Sequence, residues 1–136
     1  PAFTKAAQTL LFGEECSQVQ DGLISTMQTI SGTGALRVAG DFLAKFRPGD
    51  IYLPTPTWGN HGPIFTDSRL PTKSYRYYRA SDCGLDIDGM TEDLRAAPDG
   101  TIILLHACAH NPTGVDPTQE EWNAILKVMQ EKKHFA

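Results

Sequence analysis

An uninterrupted apolar run, Ile102-Ile103-Leu104-Leu105, breaks off into nine residues, His106-Ala107-Cys108-Ala109-His110-Asn111-Pro112-Thr113-Gly114, and a helical pattern follows within a few positions. The order reads as a buried strand, a shaped loop and an amphipathic helix. A loop at the carboxyl end of such a strand is where open α/β sheets build ligand sites. Pro112 removes a backbone donor and admits a cis bond. Gly114 permits a positive φ. Asn111 can aim an amide at something held outside the sheet.

The same alternation runs through the chain. Pro1 opens a helical stretch with Phe3, Ala6, Ala7, Leu10 and Leu11 on one face, and Gly13 is its expected stop. Residues 24–30 read as a strand, Ala35 to Phe46 as a helix ended by Pro48-Gly49, and Ile51-Tyr52-Leu53 as a short strand. A Pro- and Gly-rich loop covers 54–62, and a short helix is expected around Ile64 and Phe65. Thr72 to Tyr78 reads as a strand, Asp88 to Ala97 as a helix capped by Asp88 or Thr91, and Thr101 to Leu105 as a strand. Thr118 to Lys133 is the clearest helix, with Trp122, Ile125, Leu126 and Met129 at spacings of three and four. Its start, Thr118 followed by Glu121, has the form of a capping box. Strands alternating with helices predict an α/β fold: three layers, α/β/α, around a mostly parallel sheet.

The 136 residues are one domain's worth at most, and 40% hydrophobic with 21% charged residues is a globular composition. The net charge of −4 with no basic stripe argues against nucleic acid as a partner, and no apolar stretch is long enough to span a membrane. No signal peptide is visible. Cys16, Cys83 and Cys108 are odd in number and widely spaced, which predicts reduced thiols and an intracellular protein. The chain opens on Pro1 and closes on Lys133-His134-Phe135-Ala136, and we expect it to be a piece of something longer.

Three clusters can carry chemistry. In Ser31-Gly32-Thr33-Gly34, between a strand and a helix, small residues let backbone N–H groups approach an anion, and the helix start adds partial positive charge. It matches neither a Walker loop nor G-x-G-x-x-G, so a phosphate cradle and a plain turn both stay open. In Pro54 to His61, Trp58 is either a lid on the core or a stacking plate for a flat ligand. His61 is an acid–base group, a metal ligand or, by default, a structural histidine. His106, Cys108 and His110 fall at period two and are the types a zinc site uses, but the Pro-Thr-Gly that follows is no ligand loop. Each cluster follows an expected parallel strand, so the three are expected to converge on one crevice that suits a flat, phosphorylated cofactor.

Together with Ser74-Tyr75-Arg76-Tyr77 and Gly84-Leu85-Asp86, the segments Ser31 to Arg37, Pro56-Thr57-Trp58 with Asn60-His61, and His106 to Gly114 resemble the aspartate aminotransferases in order and spacing. These belong to the eukaryotic-type branch of the class I pyridoxal-phosphate aminotransferases. The resemblance covers essentially the whole chain. It implies the fold type I large domain of pyridoxal-phosphate-dependent transferases, of which residues 1–136 would be part, with the rest of that domain and the small domain lying outside. It implies pyridoxal 5'-phosphate as cofactor, its phosphate held by Gly32 and Thr33 N–H groups with the hydroxyls of Ser31 or Thr33. Trp58 would stack on the pyridine ring and Asn111 would bond its phenolic oxygen, and both would also meet the substrate. His61 would support the aspartate that pairs with the ring nitrogen, with His106 behind it. Pro56 and Pro112 would follow cis bonds.

The implied reaction moves an amino group between L-aspartate and 2-oxoglutarate in a cytoplasmic or mitochondrial homodimer. No metal is implied. None of Lys5, Lys45, Lys73, Lys127, Lys132 and Lys133 sits in the motif of the family's cofactor-bearing lysine, so no catalytic residue is expected in this stretch, and the stretch alone is expected to be inactive. The alternative is a phosphate- or cofactor-binding module without catalysis.

Overall fold

The computed structural model describes residues 1–136, which divide into two units, Pro1–Ala35 and Leu36–Ala136, each described by itself. In the first unit, α1 (Ala2–Phe12) starts behind Pro1 and ends at Gly13, whose N–H closes the last helical bond onto the Thr9 carbonyl at 2.9 Å and whose φ of 83° turns the chain out of the helix. A short α2 (Ser17–Gln20) follows. The Gln8 side-chain amide donates to the Ile24 carbonyl at 3.0 Å, tying the following segment to α1.

The expected strand over 24–30 does not form. This unit holds no other strand to pair with it, and β-branched residues do not hold a strand conformation without a ladder. Ile30 is 91% exposed. The next helix, α3 (Ser31–Phe46), begins four residues earlier than expected, so Ser31 to Gly34 is its first turn and not a separate loop.

The second unit is built on a three-stranded parallel sheet. Its central strand is β1 (Ile51–Thr55), flanked by β2 (Thr72–Arg76), with Ile51 opposite Thr72, and by β5 (Ile102–Ile103), with Ile51 opposite Ile102. Side chains alternate across the sheet, and each face buries its own cluster. Ile51, Leu53 and Ile102 pack with Phe65 and Leu70 under Leu36, Leu43 and Ala44 of α3. Phe65 comes from α4 (His61–Asp67). On the opposite face Tyr75, Tyr77 and Ile103 pack with Met90 and Leu94 of α5 (Ile87–Ala96) and Ile125, Val128 and Met129 of α6 (Gln119–Glu131). Helices cover both faces of a parallel sheet, the α/β/α arrangement read from the sequence.

Several local expectations are corrected. β2 stops at Arg76, and a small antiparallel pair follows, β3 (Tyr78–Arg79) with β4 (Gly84–Leu85). The cap of α5 is neither Asp88 nor Thr91 but Asp86, whose Oδ1 accepts the Gly89 N–H at 3.1 Å. The Thr91 hydroxyl bonds back to the Ile87 carbonyl instead. The capping box of α6 is present, Thr118 Oγ1 accepting from Glu121 N and Glu121 Oε2 from Thr118 N. Leu126, expected on the buried face of α6, is exposed, and Val128 takes that role. No helix is long and apolar enough to cross a membrane.

Candidate functional site

Because β1 and β5 are adjacent and parallel, the loops that leave their carboxyl ends emerge side by side. The first carries Thr57 and Trp58 into α4, which begins at His61. The second is the segment from His106 to Gly114. The peptide bonds before Pro56 and Pro112 are both cis, as the resemblance implied.

Five rings run across this edge. Trp58 and His61 meet edge to face at 5.3 Å between centroids, His61 and His106 do the same at 5.3 Å, His106 and His110 are tilted at 4.4 Å, and His110 stacks on Tyr77 at 3.8 Å. Burial holds all three imidazoles below the usual histidine range, and the neighbouring histidine adds to it for His61 and His110, the latter falling to about 4. All three rings are uncharged at neutral pH.

The hydrogen bonds set the orientation of these rings. His61 Nδ1 lies 2.7 Å from Thr57 Oγ1, and His110 Nδ1 lies 2.8 Å from Thr113 Oγ1. His106 Nδ1 accepts the Asn111 N–H at 3.2 Å, so its ring hydrogen sits on Nε2. That Nε2 is buried without an acceptor, a donor in want of a partner. The Asn111 side chain is exposed, and its amide makes no hydrogen bond within the chain.

The period-two reading of His106, Cys108 and His110 does not describe this segment. His110 is buried, His106 half-buried and Cys108 exposed, because the chain turns here and Ala109 takes a positive φ of 50°. All three cysteines are free thiols.

Ser31, Gly32 and Thr33 form the exposed start of α3 in the other unit. The Gly34 N–H is taken by the Ile30 carbonyl at 3.1 Å, while those of Gly32 and Thr33 make no hydrogen bond. Two free donors at the positive end of a 16-residue helix are suited to an anion.

Thr57, Tyr77, Thr113 and Asp116 also shape the site and were not singled out from the sequence. Tyr77 Oη donates to the Val115 carbonyl at 2.6 Å. The Asp116 carboxylate accepts the N–H groups of Ala109 and His110. Asp116 lies two residues past Gly114, close enough in sequence for a side chain to close the loop, which is the signal that could have found it.

The aminotransferase class I and II family model matches residues 1–136, the whole chain. The chain belongs to this family. It is 56% identical over 135 residues to the mitochondrial aspartate aminotransferase of Dictyostelium discoideum, an alignment that covers 98% of this chain and 32% of that protein. It is also 56% identical over 137 residues to the mitochondrial enzyme of Schizosaccharomyces pombe, covering 100% and 31% respectively. Among solved structures, the cytoplasmic aspartate aminotransferase of Saccharomyces cerevisiae superposes with a TM-score of 0.94 at 40% identity over 98% of this chain and 33% of its own. An aromatic-amino-acid aminotransferase from Burkholderia pseudomallei, covalently bound to pyridoxal phosphate, superposes with a TM-score of 0.94 at 34% identity over 98% and 34%. This member of the family thus spans about a third of the length of these relatives. All of them are aminotransferases, which does not favour the alternative of a binding module.

Proposed function

We propose that this chain is part of the large, cofactor-binding domain of an aspartate aminotransferase, a homodimer of the cytoplasm or mitochondrion that moves an amino group between L-aspartate and 2-oxoglutarate. The observation that carries the reading is a pair of unmatched donors beside Trp58: the unpaired Asn111 amide and the buried, unpartnered Nε2 of His106. Those groups, with a half-buried Trp58 ring, fit pyridoxal 5'-phosphate.

Gly32 and Thr33 would hold the phosphate through their free backbone N–H groups, and the hydroxyls of Ser31 or Thr33 would add donors. Trp58 would offer its ring as a stacking surface for the pyridine ring and would exclude water there. Asn111 would donate to the phenolic oxygen, and both Asn111 and Trp58 would meet the substrate. His61, held by Thr57, and His106 act from behind, fixing the groups at the ring-nitrogen end. When bound, the cofactor supplies an electron sink for breaking a bond beside the amino group. None of the six lysines of this chain stands in the motif of the lysine that would carry it.

The test uses the full-length protein. Trp58→Ala and Asn111→Ala each weaken cofactor retention and lower turnover. The lost Asn111 hydrogen bond costs about 0.5–1.5 kcal/mol, more with a charged partner. Unchanged cofactor absorbance and turnover in both variants would sink the assignment.

A further inference from the structure

Three consecutive backbone N–H groups lead up to and include Asn111, and each is held by a side chain. Ala109 donates to Asp116 Oδ2 at 2.7 Å, His110 to Asp116 Oδ1 at 2.9 Å, and Asn111 to His106 Nδ1 at 3.2 Å. Asp116 makes no ion pair and no other side-chain hydrogen bond, so both carboxylate oxygens are committed to this loop. The loop needs such a hold. Ala109 sits at a φ of 50°, a region that an L-residue without a polar side chain enters at a cost.

Asp116 is itself braced against the core. Before it, the Val115 carbonyl accepts the hydroxyl of buried Tyr77, and the Val115 N–H donates to Thr113 Oγ1 at 3.2 Å. After it comes buried Pro117. Within the loop, the Gly114 N–H closes onto the His110 carbonyl at 2.7 Å. A continuous path therefore runs from the Tyr77 side chain through Val115 and Asp116 to the backbone that presents Asn111.

We propose that Asp116 is a positioning residue for Asn111: its two carboxylate oxygens, by holding the Ala109 and His110 N–H groups, fix the backbone from which the Asn111 amide reaches its ligand. This rests on the role given to Asn111 above. The chemistry is a charge-assisted clamp with one oxygen for each donor. Asparagine offers only one acceptor in the same shape and would turn an NH2 group towards a second donor.

Two readouts in the full-length protein test the clamp. The first is amide hydrogen exchange without cofactor. Asp116→Ala speeds exchange at Ala109 and His110 by roughly tenfold or more, and Asp116→Asn by less. Unchanged protection in Asp116→Ala overturns the proposal. The second is a double-mutant cycle read as the affinity of the cofactor-free protein for pyridoxal phosphate. Asp116→Ala alone weakens binding by roughly tenfold, but by less than about twofold once Asn111 is already alanine. Combined with Trp58→Ala, it multiplies.

A merely structural Asp116 would weaken binding equally in both backgrounds, and that result also overturns the proposal. Failure of the functional reading has a different signature: Asn111→Ala alone would bind cofactor as the wild type does. Lost amide protection in Asp116→Ala would then still report an intact clamp in a protein with another ligand.

Discussion

The Tyr77 ring lies almost parallel to that of His110, with 13° between their planes and 3.8 Å between their centroids. One side chain belongs to the short link between β2 and β3, the other to the loop after β5. The contact thus joins the buried cluster on one sheet face to the loop that carries Asn111. The Tyr77 hydroxyl adds a second tie at the Val115 carbonyl.

Tyr77→Phe keeps the stack and removes only that tie. It leaves the Val115 carbonyl without its partner and lowers stability by about 1–3 kcal/mol. Tyr77→Leu also removes the stack and costs more. Thermal melting of the full-length protein measures both, and equal melting temperatures for the two variants would show that the stack contributes nothing.

His110 makes stability depend on pH. Its folded-state pKa, about 4, lies below the ordinary histidine value of 6.5 because burial disfavours the charged ring. Above the ordinary value both states are neutral and nothing changes. As pH falls from 6.5 towards 4, the unfolded chain takes up a proton that the folded chain refuses, and stability drops by up to roughly 3 kcal/mol. His61 and His106 act in the same direction. The carboxylates of Asp93 and Asp116 are held below their ordinary value, so their contribution is lost only at more acid pH. Melting temperature against pH should fall across this window and fall less steeply in His110→Gln. Identical slopes would rule out His110 as a source.

Gly40, the buried residue of α3, marks a close approach. A Cβ there would meet Ser68 Oγ at 2.7 Å, Ser68 Cβ at 2.9 Å and Phe65 Cδ1 at 3.3 Å. Alanine favours a helix over glycine by about 1 kcal/mol, but overpacking costs about 1–3 kcal/mol. The Ser68 hydroxyl can rotate away, but its Cβ is fixed by the backbone and cannot swing aside. Gly40→Ala therefore lowers the melting temperature, and a rise would show that α3 shifts freely on the sheet.

The 136-residue segment produced by itself should fold poorly. Leu10, Leu11, Leu23 and Ile30 in one unit, and Phe42 and Phe46 in the other, are each at least 60% exposed. Apolar surface on this scale favours aggregation. We expect strong binding of a hydrophobic dye and no cooperative unfolding. A sharp, reversible thermal transition would refute this.

Much of the site was legible in residue order. The apolar run ending at Leu105, the prolines at 56 and 112, and the Thr118–Glu121 capping box all state local requirements: a buried strand, a constrained bond, a satisfied helix end. Trp58, His61, His106 and Asn111 were singled out because they stand just after such strands. Tyr77 and Asp116 were not. The role of Tyr77 depends on which loop lies opposite, and nothing within a few residues reveals that; Asp116 carries only a local signal, its place two residues past Gly114, and which N–H groups it holds is set by the folded loop.

What the sequence by itself determined is therefore most of the succession of elements and the family, since helix periodicity, caps and turns are local and the motifs stand in fixed order. Tertiary structure alone decided the rest. Residues 24–30 do not form a strand, because pairing needs a partner from elsewhere in the chain. His110 is buried and neutral while Cys108, two residues away, is exposed, because a turn at Ala109 breaks the alternation. Strand pairing, burial and ring stacking are contacts between distant positions, and their energies exist only once the chain has brought those positions together.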